Sequence, residues 1–314
     1  MRTEALDNGQ VGQVGQVVQA LKGLADPTRL RLLSLLRHGE LTVGEICRVL
    51  GQSQPRVSRH LRLLSEAGFL DRFREQQCVY YRTPATGARS GWVRELLASV
   101  NPRDPALQRD HVRMAVVVSD RGRTAAGQLG QASPSDSGDT GLAAVLHEEL
   151  GPVALGELLD IGTGAGRMLE MLGAQTSHAV GIDLSSPALR LARTRVHGRG
   201  LAHCEFHRGD MYALPFESAA FDTVTIDRVL AGAERPVAVL AEAARTLRAA
   251  GRVVVVERFD DIEACTGANP LQSLRAWLDG SGLKLTRLRP CDLASGHHLL
   301  AVAQHAVASA AGAR

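Results

Sequence analysis

Residues 158–172 read LLDIGTGAGRMLEML. An apolar run ends at Asp160, three alternate glycines follow at Gly162, Gly164 and Gly166, and an amphipathic segment comes next. Glycines at such a turn let the backbone reverse sharply and bring its amides close to a ligand at the N-terminus of the following helix. The dinucleotide fingerprint GxGxxG is not met, because an arginine stands at its last position. The stretch therefore predicts a strand, a ligand-binding turn and a helix.

The sequence that follows alternates between apolar runs and helical patterns, which is typical of a parallel α/β sheet. Asp183 ends one run, 23 residues after Asp160, where a carboxylate can accept hydrogen bonds from both hydroxyls of a ribose. Asp210 and Met211 follow another run and fit the edge and the face of an adenine. The candidate strands are GELLDIG, HAVGIDL, HCEFHRGD, FDTVTID, GRVVVVE and HHLLAVAQ.

Residues 150–305 resemble the class I methyltransferases that depend on S-adenosylmethionine (SAM). The resemblance implies a Rossmann-like α/β fold with a largely parallel seven-stranded sheet, and binding of SAM or its product S-adenosylhomocysteine (SAH). It places Asp160 and the glycines at the methionine part, Asp183 at the ribose, Asp210 with Met211 at the adenine, and Asp227 beside the transferable methyl group. The candidate set is Asp160, Gly162, Thr163, Gly164, Gly166, Asp183, Leu184, Gly209, Asp210, Met211 and Asp227.

Methyl transfer needs more than a bound cofactor. The acceptor must lie in line with the sulfonium, and oxygen or nitrogen acceptors often need a base. Related proteins that join this domain to a second one tend to carry a longer segment with aromatic residues before the first strand. They also tend to carry a longer insert with histidines after the fifth strand. In this chain the first place holds a Gly/Ser/Asp-rich stretch and the second only RFDDIEACTGANPLQ. No catalytic residue is assigned, and a ligand sensor, a working enzyme and an unliganded structural relic remain open.

The first hundred residues predict short helices followed by a basic hairpin. Asp26 and Pro27 suit the start of one helix. Thr42 with Glu45 has capping-box spacing at the start of the next, and Gly51 is placed to end it. A third helix starts at Ser53 and ends near a glycine. FLDRFREQQCVYYRT then reads as two β-prone runs around a polar tip, and a further helix is expected through GWVRELLASV. This order predicts a mainly α winged helix-turn-helix.

The third helix divides into two faces. Val57, Leu61 and Leu64 fall on one side, and Ser58, Arg59 and other polar residues fall opposite. Any surface helix can carry arginines, but a basic helix followed by a basic hairpin favours contacts with base edges and phosphates. The DNA-binding candidates are Gln54, Arg56, Ser58, Arg59 and Arg62 in the helix and Arg72, Arg74 and Gln77 in the hairpin.

The stretch LADPTRLRLL with SQPRVSRHLRLLSEAGF resembles the ArsR/SmtB family of winged-helix repressors. The resemblance extends over some sixty residues. It implies a homodimer that reads a near-palindromic, double-stranded operator, with the first and last helices of the domain at the dimer interface. Many members sense metals through cysteines at the start of the second helix, where this chain has Thr42 and Gly44, so no metal site is expected. Cys47 fits a small buried hydrophobic residue.

Two other groups of residues deserve weighing as metal sites. HCEFH and CDLASGHH contain His, Cys and acidic residues, but in HCEFH strand alternation places His203, Glu205 and His207 on one face and Cys204 on the other. We expect a solvated strand face there. Arsenite methylation would need cysteines near the methyl site, and none lies in DIGTGAG or VTIDRVLAGA.

Length and composition agree with this organisation. The 314 residues suffice for two domains, and 45% are hydrophobic against 22% charged. Residues 1–100 hold 14 basic and 9 acidic residues, a net +5, and the rest hold 22 and 24, a net −2, so the positive charge lies in the first third. Five widely spaced cysteines without a CxxC pair indicate reduced thiols. With no secretory signal and no membrane span expected, a cytoplasmic location follows.

The predicted domains are a winged-helix DNA-binding and dimerisation domain over 1–100, a helix and flexible linker over 101–141, and a methyltransferase-like domain over 142–314. The linker is assigned to the aperiodic stretch from Asp120 to Gly141. The favoured hypothesis is a repressor whose second domain senses SAM or SAH and which controls methionine-cycle genes. The alternative is an active SAM-dependent methyltransferase that acts on a small molecule and carries a DNA-binding domain.

Overall fold

The computed structural model describes residues 14–84, 87–129 and 140–306. The chain divides into two compact units, the first ending at Asp120 and the second beginning at Arg121. No helix in the described ranges is both long enough and apolar enough to cross a membrane.

Among its described residues, the first unit contains six helices and a three-stranded sheet, and the last of these helices continues past Asp120. The helices are α1 (Val14–Leu24), α2 (Pro27–Leu36), α3 (Val43–Leu50), α4 (Gln54–Glu66), α5 (Ala88–Ala98) and α6 (Pro105–Leu129). The strands are β1 (Leu41–Thr42), β2 (Asp71–Glu75) and β3 (Cys78–Arg82), in the order β1-β3-β2 with antiparallel pairs. The predicted winged helix-turn-helix is confirmed, and β2 and β3 form its hairpin.

Local signals set the helix boundaries as predicted. The Asp26 carboxylate accepts hydrogen bonds from the amides of Thr28 and Arg29 and caps α2. Thr42 and Glu45 form the capping box of α3, and Gly51 ends that helix with φ of 64°. Such left-handed backbone favours glycine, because other residues meet a steric penalty there.

Helix α6 corrects the prediction of a flexible linker beginning at Asp120. It continues as a helix to Leu129. Within the second unit, Gly122 lies so close to α9 (Ser186–Gly198) that an added Cβ would stand 2.8 Å from the Thr194 side chain. The glycine therefore allows close packing, whereas the sequence suggested flexibility. Residues 130–139 of the proposed linker, and the part of the glycine-rich lead-in before Val14, lie outside the described residues.

The second unit is an α/β domain with a seven-stranded sheet. Its strands are β4 (Gly156–Ile161), β5 (Thr176–Asp183), β6 (Cys204–Arg208), β7 (Phe221–Asp227), β8 (Leu247–Arg258), β9 (Leu283–Leu293) and β10 (Gly296–His305). The remaining helices are α7 (Thr140–Leu150), α8 (Arg167–Leu172), α10 (Pro236–Thr246), α11 (Phe259–Thr266) and α12 (Pro270–Gly280). The strand order is β6-β5-β4-β7-β8-β10-β9, parallel from β6 to β8 and antiparallel at β10 and β9. This confirms the predicted largely parallel Rossmann-like sheet.

The central strands are buried on both faces. Leu159, Val224 and Val255 belong to one hydrophobic cluster, and Leu158 and Val254 belong to another. Because neighbouring residues of a strand point to opposite faces, these alternating memberships place one cluster on each side of the sheet. The carboxyl ends of β4, β5 and β7 therefore open between two packed layers.

Candidate functional site: a ligand cavity and a basic helix

The glycine turn after β4 is shaped by close packing. Gly162 has φ of 69°, and a Cβ there would lie 2.4 Å from a methyl carbon of Val229. Gly166 has φ of 83°, and its Cβ would lie 3.0 Å from that of Ala192 on α9. A larger residue at either position would push apart the elements that surround the turn. Gly162 and Gly166 are therefore required by the local structure.

Asp183, at the end of β5, holds the glycine turn from the side. One of its carboxylate oxygens accepts a hydrogen bond from the Gly164 amide at 2.9 Å, and the other accepts one from the Ser185 amide at 2.8 Å. The Thr163 amide donates to the Ile182 carbonyl at 3.0 Å. The turn after β4 and the turn after β5 are thus tied together.

Asp160 is a buried acid with an unused acceptor. The residue is 1% exposed, and the Thr225 hydroxyl donates a hydrogen bond to its Oδ1 at 2.7 Å. Among the described residues, no group makes a hydrogen bond of ordinary geometry to its buried Oδ2, although the nearby Thr163 hydroxyl acts to lower the pKa of the carboxyl. Burial raises the pKa of Asp160 to about 7, helped by the negative charges of Asp227 and Asp183. A cationic or hydrogen-bond-donating group of a ligand would satisfy this oxygen.

Asp227, at the end of β7, lies beside two arginines. Its carboxylate is 3.2 Å from Arg167 Nη1 and 3.6 Å from Arg228 Nε, and the side chains of Asp227 and Arg167 are both 8% exposed. Sequence reasoning noted the Arg167 position only as a departure from a glycine pattern. An arginine at the first position of the helix that follows the glycine turn was the signal that could have identified it.

The three strand ends surround a cavity of about 280 Å³. Five residues of the candidate set line it, namely Gly162, Asp183, Leu184, Gly209 and Met211. Four further lining residues were not predicted, namely Ile182, Arg228, Val229 and Gly232. Asp160 and Asp227 are not in this lining, and Asp210 is exposed and accepts a hydrogen bond from the Tyr212 amide at 2.9 Å.

Helix α4 buries one face and exposes the other. Val57, Leu61 and Leu64 are 0% exposed and anchor the helix in the core of the first unit. Of the candidate DNA-binding residues of α4, Gln54, Arg56, Arg59 and Arg62 are exposed and Ser58 is half-buried. Arg62 also forms an ion pair with Glu66 at 3.8 Å. The helix is thus held rigidly with its basic side turned to solvent.

The hairpin places more basic groups at the surface of the same unit. Arg72, Arg74 and Gln77 are exposed. Arg74 Nε donates a hydrogen bond to the Gln76 carbonyl at 2.9 Å, and Gln76 has φ of 53° at the tip. This contact orders the tip of the wing.

The residues considered as metal ligands in the sequence, Cys47 and the His and Glu residues of β6, pack against the protein itself. Among the described residues, no group of three or more His, Cys, Asp or Glu side chains is arranged to hold a metal ion. Cys47 is half-buried at the edge of the core, with its pKa raised by burial. The expectation of a solvated face on β6 was wrong for Glu205, which is 8% exposed because it contacts His178 at 3.1 Å and His207 at 3.3 Å.

Comparisons with known proteins match both units. The model for "Bacterial regulatory protein, arsR family" matches residues 26–72, and the methyltransferase domain model matches residues 159–255. The chain is 38% identical over 117 residues to an arsenic resistance transcriptional regulator of Pseudomonas putida. The aligned region covers 37% of this chain and 90% of that protein.

Two further relatives match the second unit. A demethylmenaquinone methyltransferase of Clavibacter sepedonicus is 36% identical over 106 residues, 34% of this chain and 42% of that protein. An arsenite methyltransferase of Halobacterium salinarum is 26% identical over 179 residues, 51% of this chain and 46% of that protein. The chain thus spans less than half the length of either methyltransferase.

The fold and the two candidate sites define a winged helix-turn-helix regulator fused to a domain of the class I methyltransferase fold. The chain belongs to the arsR family of bacterial regulatory proteins.

Proposed function

We propose that this protein is a DNA-binding transcriptional repressor whose methyltransferase-like domain binds SAM or SAH as an effector. The observation that carries the proposal is that one chain presents both a rigid helix with an exposed basic face and a formed ligand cavity at the ends of β4, β5 and β7. The cofactor identity, the DNA contacts and the regulated genes are part of the proposal.

The geometry of the glycine turn supports SAM or SAH as the ligand. Asp160 lies behind the cavity lining, and among the described residues its buried Oδ2 makes no hydrogen bond, so the amino group of the methionine part would donate to it. Asp183 lines the cavity with a carboxylate that fits ribose hydroxyls, and Met211 lines it with an apolar side chain that fits an adenine face. When bound, SAM would supply a methyl group on a sulfonium, whereas SAH would supply the same contacts without that group or its charge.

The basic face of α4 supports operator DNA as the partner. Arg56 and Arg59 are exposed and have guanidinium groups that match guanine edges and phosphates. Non-specific phosphate contacts would give affinity, and base contacts by the helix would give the operator sequence. Cytoplasmic location belongs to the same proposal, because the operator DNA is there.

Exposed apolar residues support a homodimer. On α1, Val14 is 80%, Val18 43% and Leu21 55% exposed, and their spacing places them on one face of the helix. On α6, Val112 is 68% and Val116 58% exposed, again one turn apart. We propose that these faces are buried against a second copy, which would present two α4 helices to two half-sites of an operator.

Ligand binding would regulate the repressor by thermodynamic linkage. A ligand changes operator affinity only if it binds the DNA-competent and DNA-incompetent arrangements with different affinity, and such coupling is typically about 1–3 kcal/mol. We propose methionine-cycle genes as targets, with accumulated SAH relieving repression. The alternative function, methyl transfer to a small molecule, is favoured by a second cavity beside the first that shares Arg228 and Gly232 with it.

Asp183→Ala tests the link between cavity and operator. Loss of the carboxylate removes both amide contacts and the ribose acceptor, so calorimetry should show loss of SAM and SAH binding. Operator affinity without ligand should stay unchanged, and any effect of SAM or SAH on operator affinity should disappear. If Asp183→Ala abolished ligand binding and ligand-dependent release of DNA persisted, the cavity would not be the sensor. Glu217→Ala is the matched control, because Glu217 is an exposed acid that lies outside the cavity lining and outside the candidate binding set.

A further inference from the structure

A second cavity, of about 510 Å³, lies between the loop after β7 and helix α11. Its lining includes Arg228 and Gly232 from the loop, Glu257 from β8, and Asp261 from α11. Arg228 and Gly232 also line the cavity at the glycine turn, so the two cavities adjoin at this loop. A molecule in the second cavity would therefore lie next to a ligand in the first.

Glu257 provides a buried acceptor in this cavity. The residue is 0% exposed, and its Oε1 accepts hydrogen bonds from the amides of Val229 at 2.8 Å and Leu230 at 2.6 Å. In the part of the chain that the structure describes, no group donates a hydrogen bond to its buried Oε2. A buried polar atom is rarely left without a partner, because its lost hydration is not replaced. One oxygen therefore holds the loop in place, and the other is available to a donor in the cavity.

The charges of the lining have opposite signs. Glu257 and Asp261 contribute carboxyl groups, and Arg228 contributes a guanidinium. Arg228 has φ of 56°, a conformation that non-glycine residues rarely adopt, and its amide donates to the Val256 carbonyl at 2.7 Å. Strained backbone of this kind often occurs where a side chain must be held at a functional site. Arg228 Nε is 3.6 Å from the Asp227 carboxylate, and the Asp261 carboxylate is 3.9 Å from Arg258 Nε, so a ligand would share these groups with their present partners. The lining thus offers acceptors for a cation and a donor group for an anion.

We propose that the second cavity binds a small zwitterion of the α-amino acid class. Its ammonium group donates to Glu257 Oε2, with Asp261 adding negative charge at the rim. Its carboxylate contacts the Arg228 guanidinium, which is suited to pairing with a planar anion. The two small residues Ala231 and Ala264 leave room for the side chain. This site is independent of the role proposed for SAM or SAH.

The test is binding of the twenty standard amino acids, each as a separate probe, to the full-length protein. Calorimetry is run with and without SAH, and circular dichroism checks that each variant is folded. Glu257→Gln keeps an oxygen for the two loop amides and replaces the second oxygen by an amide N–H₂, which repels an ammonium group. Arg228→Met removes the guanidinium and keeps a long side chain. Glu263→Gln is the matched control, since Glu263 is an exposed acid on the same helix α11 and lies outside the lining.

We expect at least one amino acid to bind with a Kd below 1 mM, which is within the range of weak specific binding. Glu257→Gln and Arg228→Met should each weaken this binding about tenfold or more, and Glu263→Gln should leave it unchanged. The proposal is overturned if none of the twenty binds to the wild-type protein, or if folded Glu257→Gln and folded Arg228→Met both bind as tightly as the wild type. Failure of SAH to bind would contradict the proposed effector, but amino-acid binding to the second cavity could still be measured and would still decide this proposal.

Discussion

The Asp183 carboxylate accepts a hydrogen bond from the Gly164 amide at 2.9 Å, and this contact joins the ends of two neighbouring strands. Asp183 ends β5 and Gly164 lies in the turn after β4, strands that are parallel and adjacent in the sheet. The acid that would bind a ribose therefore also positions the turn that would bind the rest of the ligand. Four predictions test this site and the DNA-binding helix.

Gly162→Ala should abolish binding of SAM and SAH. The added Cβ would stand 2.4 Å from Val229, a residue of the cavity lining, so the cavity would be distorted. The backbone strain of a positive φ adds about 1 kcal/mol to the destabilisation. Calorimetric titration measures the ligand affinity. Gly200→Ala is the control, because Gly200 has φ of 80° but nothing within 4 Å of an added Cβ. Gly200→Ala should carry similar backbone strain and bind SAM and SAH as tightly as the wild type. An equal loss of ligand affinity in both variants would show that the Val229 contact is not the cause.

Asp160→Asn should change how stability depends on pH. Burial raises the pKa of Asp160 to about 7 from the ordinary aspartate value of 3.8. A raised pKa means that the folded state holds its proton more tightly than the unfolded state, so the favourable contribution is complete below about pH 4 and is lost as pH rises towards 7. The loss amounts to a few kcal/mol, as an order of magnitude.

The asparagine variant has no such proton, so its unfolding midpoint should rise relative to that of the wild type as pH increases from 4 to 8. Differential scanning calorimetry without ligand measures the difference. Glu257, whose pKa is also raised to about 7 by burial, titrates in both proteins and cancels in the comparison. A difference that is constant over this range would show that Asp160 is not a buried acid in solution.

Arg59→Ala should weaken binding to the operator by about 1–3 kcal/mol if Arg59 contacts a base edge. If Arg59 contacts only a phosphate, binding should weaken on all DNA sequences, and the slope of log affinity against log salt should fall by about 1. Fluorescence anisotropy at several salt concentrations separates these cases. Arg94→Ala removes an exposed arginine of α5 and serves as the control. Unchanged operator binding by Arg59→Ala would contradict the assignment of α4 as the reading helix.

Arsenite and zinc ions should leave operator binding unchanged within about twofold, a difference well below the 1.4 kcal/mol that separates tenfold affinities. At the start of α3, Thr42 Oγ1 accepts a hydrogen bond from the Glu45 amide at 3.2 Å and provides no thiolate. Anisotropy titrations with each ion check this expectation, with Cys47→Ser as a comparison. Release of DNA from the wild type but not from Cys47→Ser would identify Cys47 as a ligand and contradict the account.

The sequence predicted those features that depend on neighbouring residues. The caps of α2 and α3 and the left-handed Gly51 involve contacts across a few positions, so local chemistry determined them. The continuation of α6 from Asp120 to Leu129 was not predicted, because glycines read as flexible when the surface they pack against is unknown. Strand β9 was also missed, since its residues Leu283–Leu293 are mostly charged or half-exposed and include Pro290. An edge strand tolerates such residues because one side needs no ladder hydrogen bonds.

The candidate site was predicted only in part for the same physical reason. Asp160, Asp183 and the glycines lie at strand ends, a position that the alternation of apolar runs reveals. Arg167 and the loop from Arg228 to Gly232 reach the site through the order β5-β4-β7, which brings together residues some sixty positions apart in sequence. A pattern within a short stretch of sequence cannot predict that residues so far apart in the chain lie together in the fold. The unused oxygens of Asp160 and Glu257 likewise depend on burial in three dimensions.

The central claim is that one ligand cavity controls one DNA-binding surface. The most direct measurement is the affinity of the purified protein for a labelled fragment of its own upstream DNA at fixed salt, with SAM, with SAH and with neither. We expect one of the two ligands to shift the affinity by about 5- to 150-fold, the usual range of allosteric coupling, and the other to shift it less. Equal affinity under all three conditions, together with transfer of labelled methyl groups from SAM to a component of cell extract, would contradict the account and identify an enzyme.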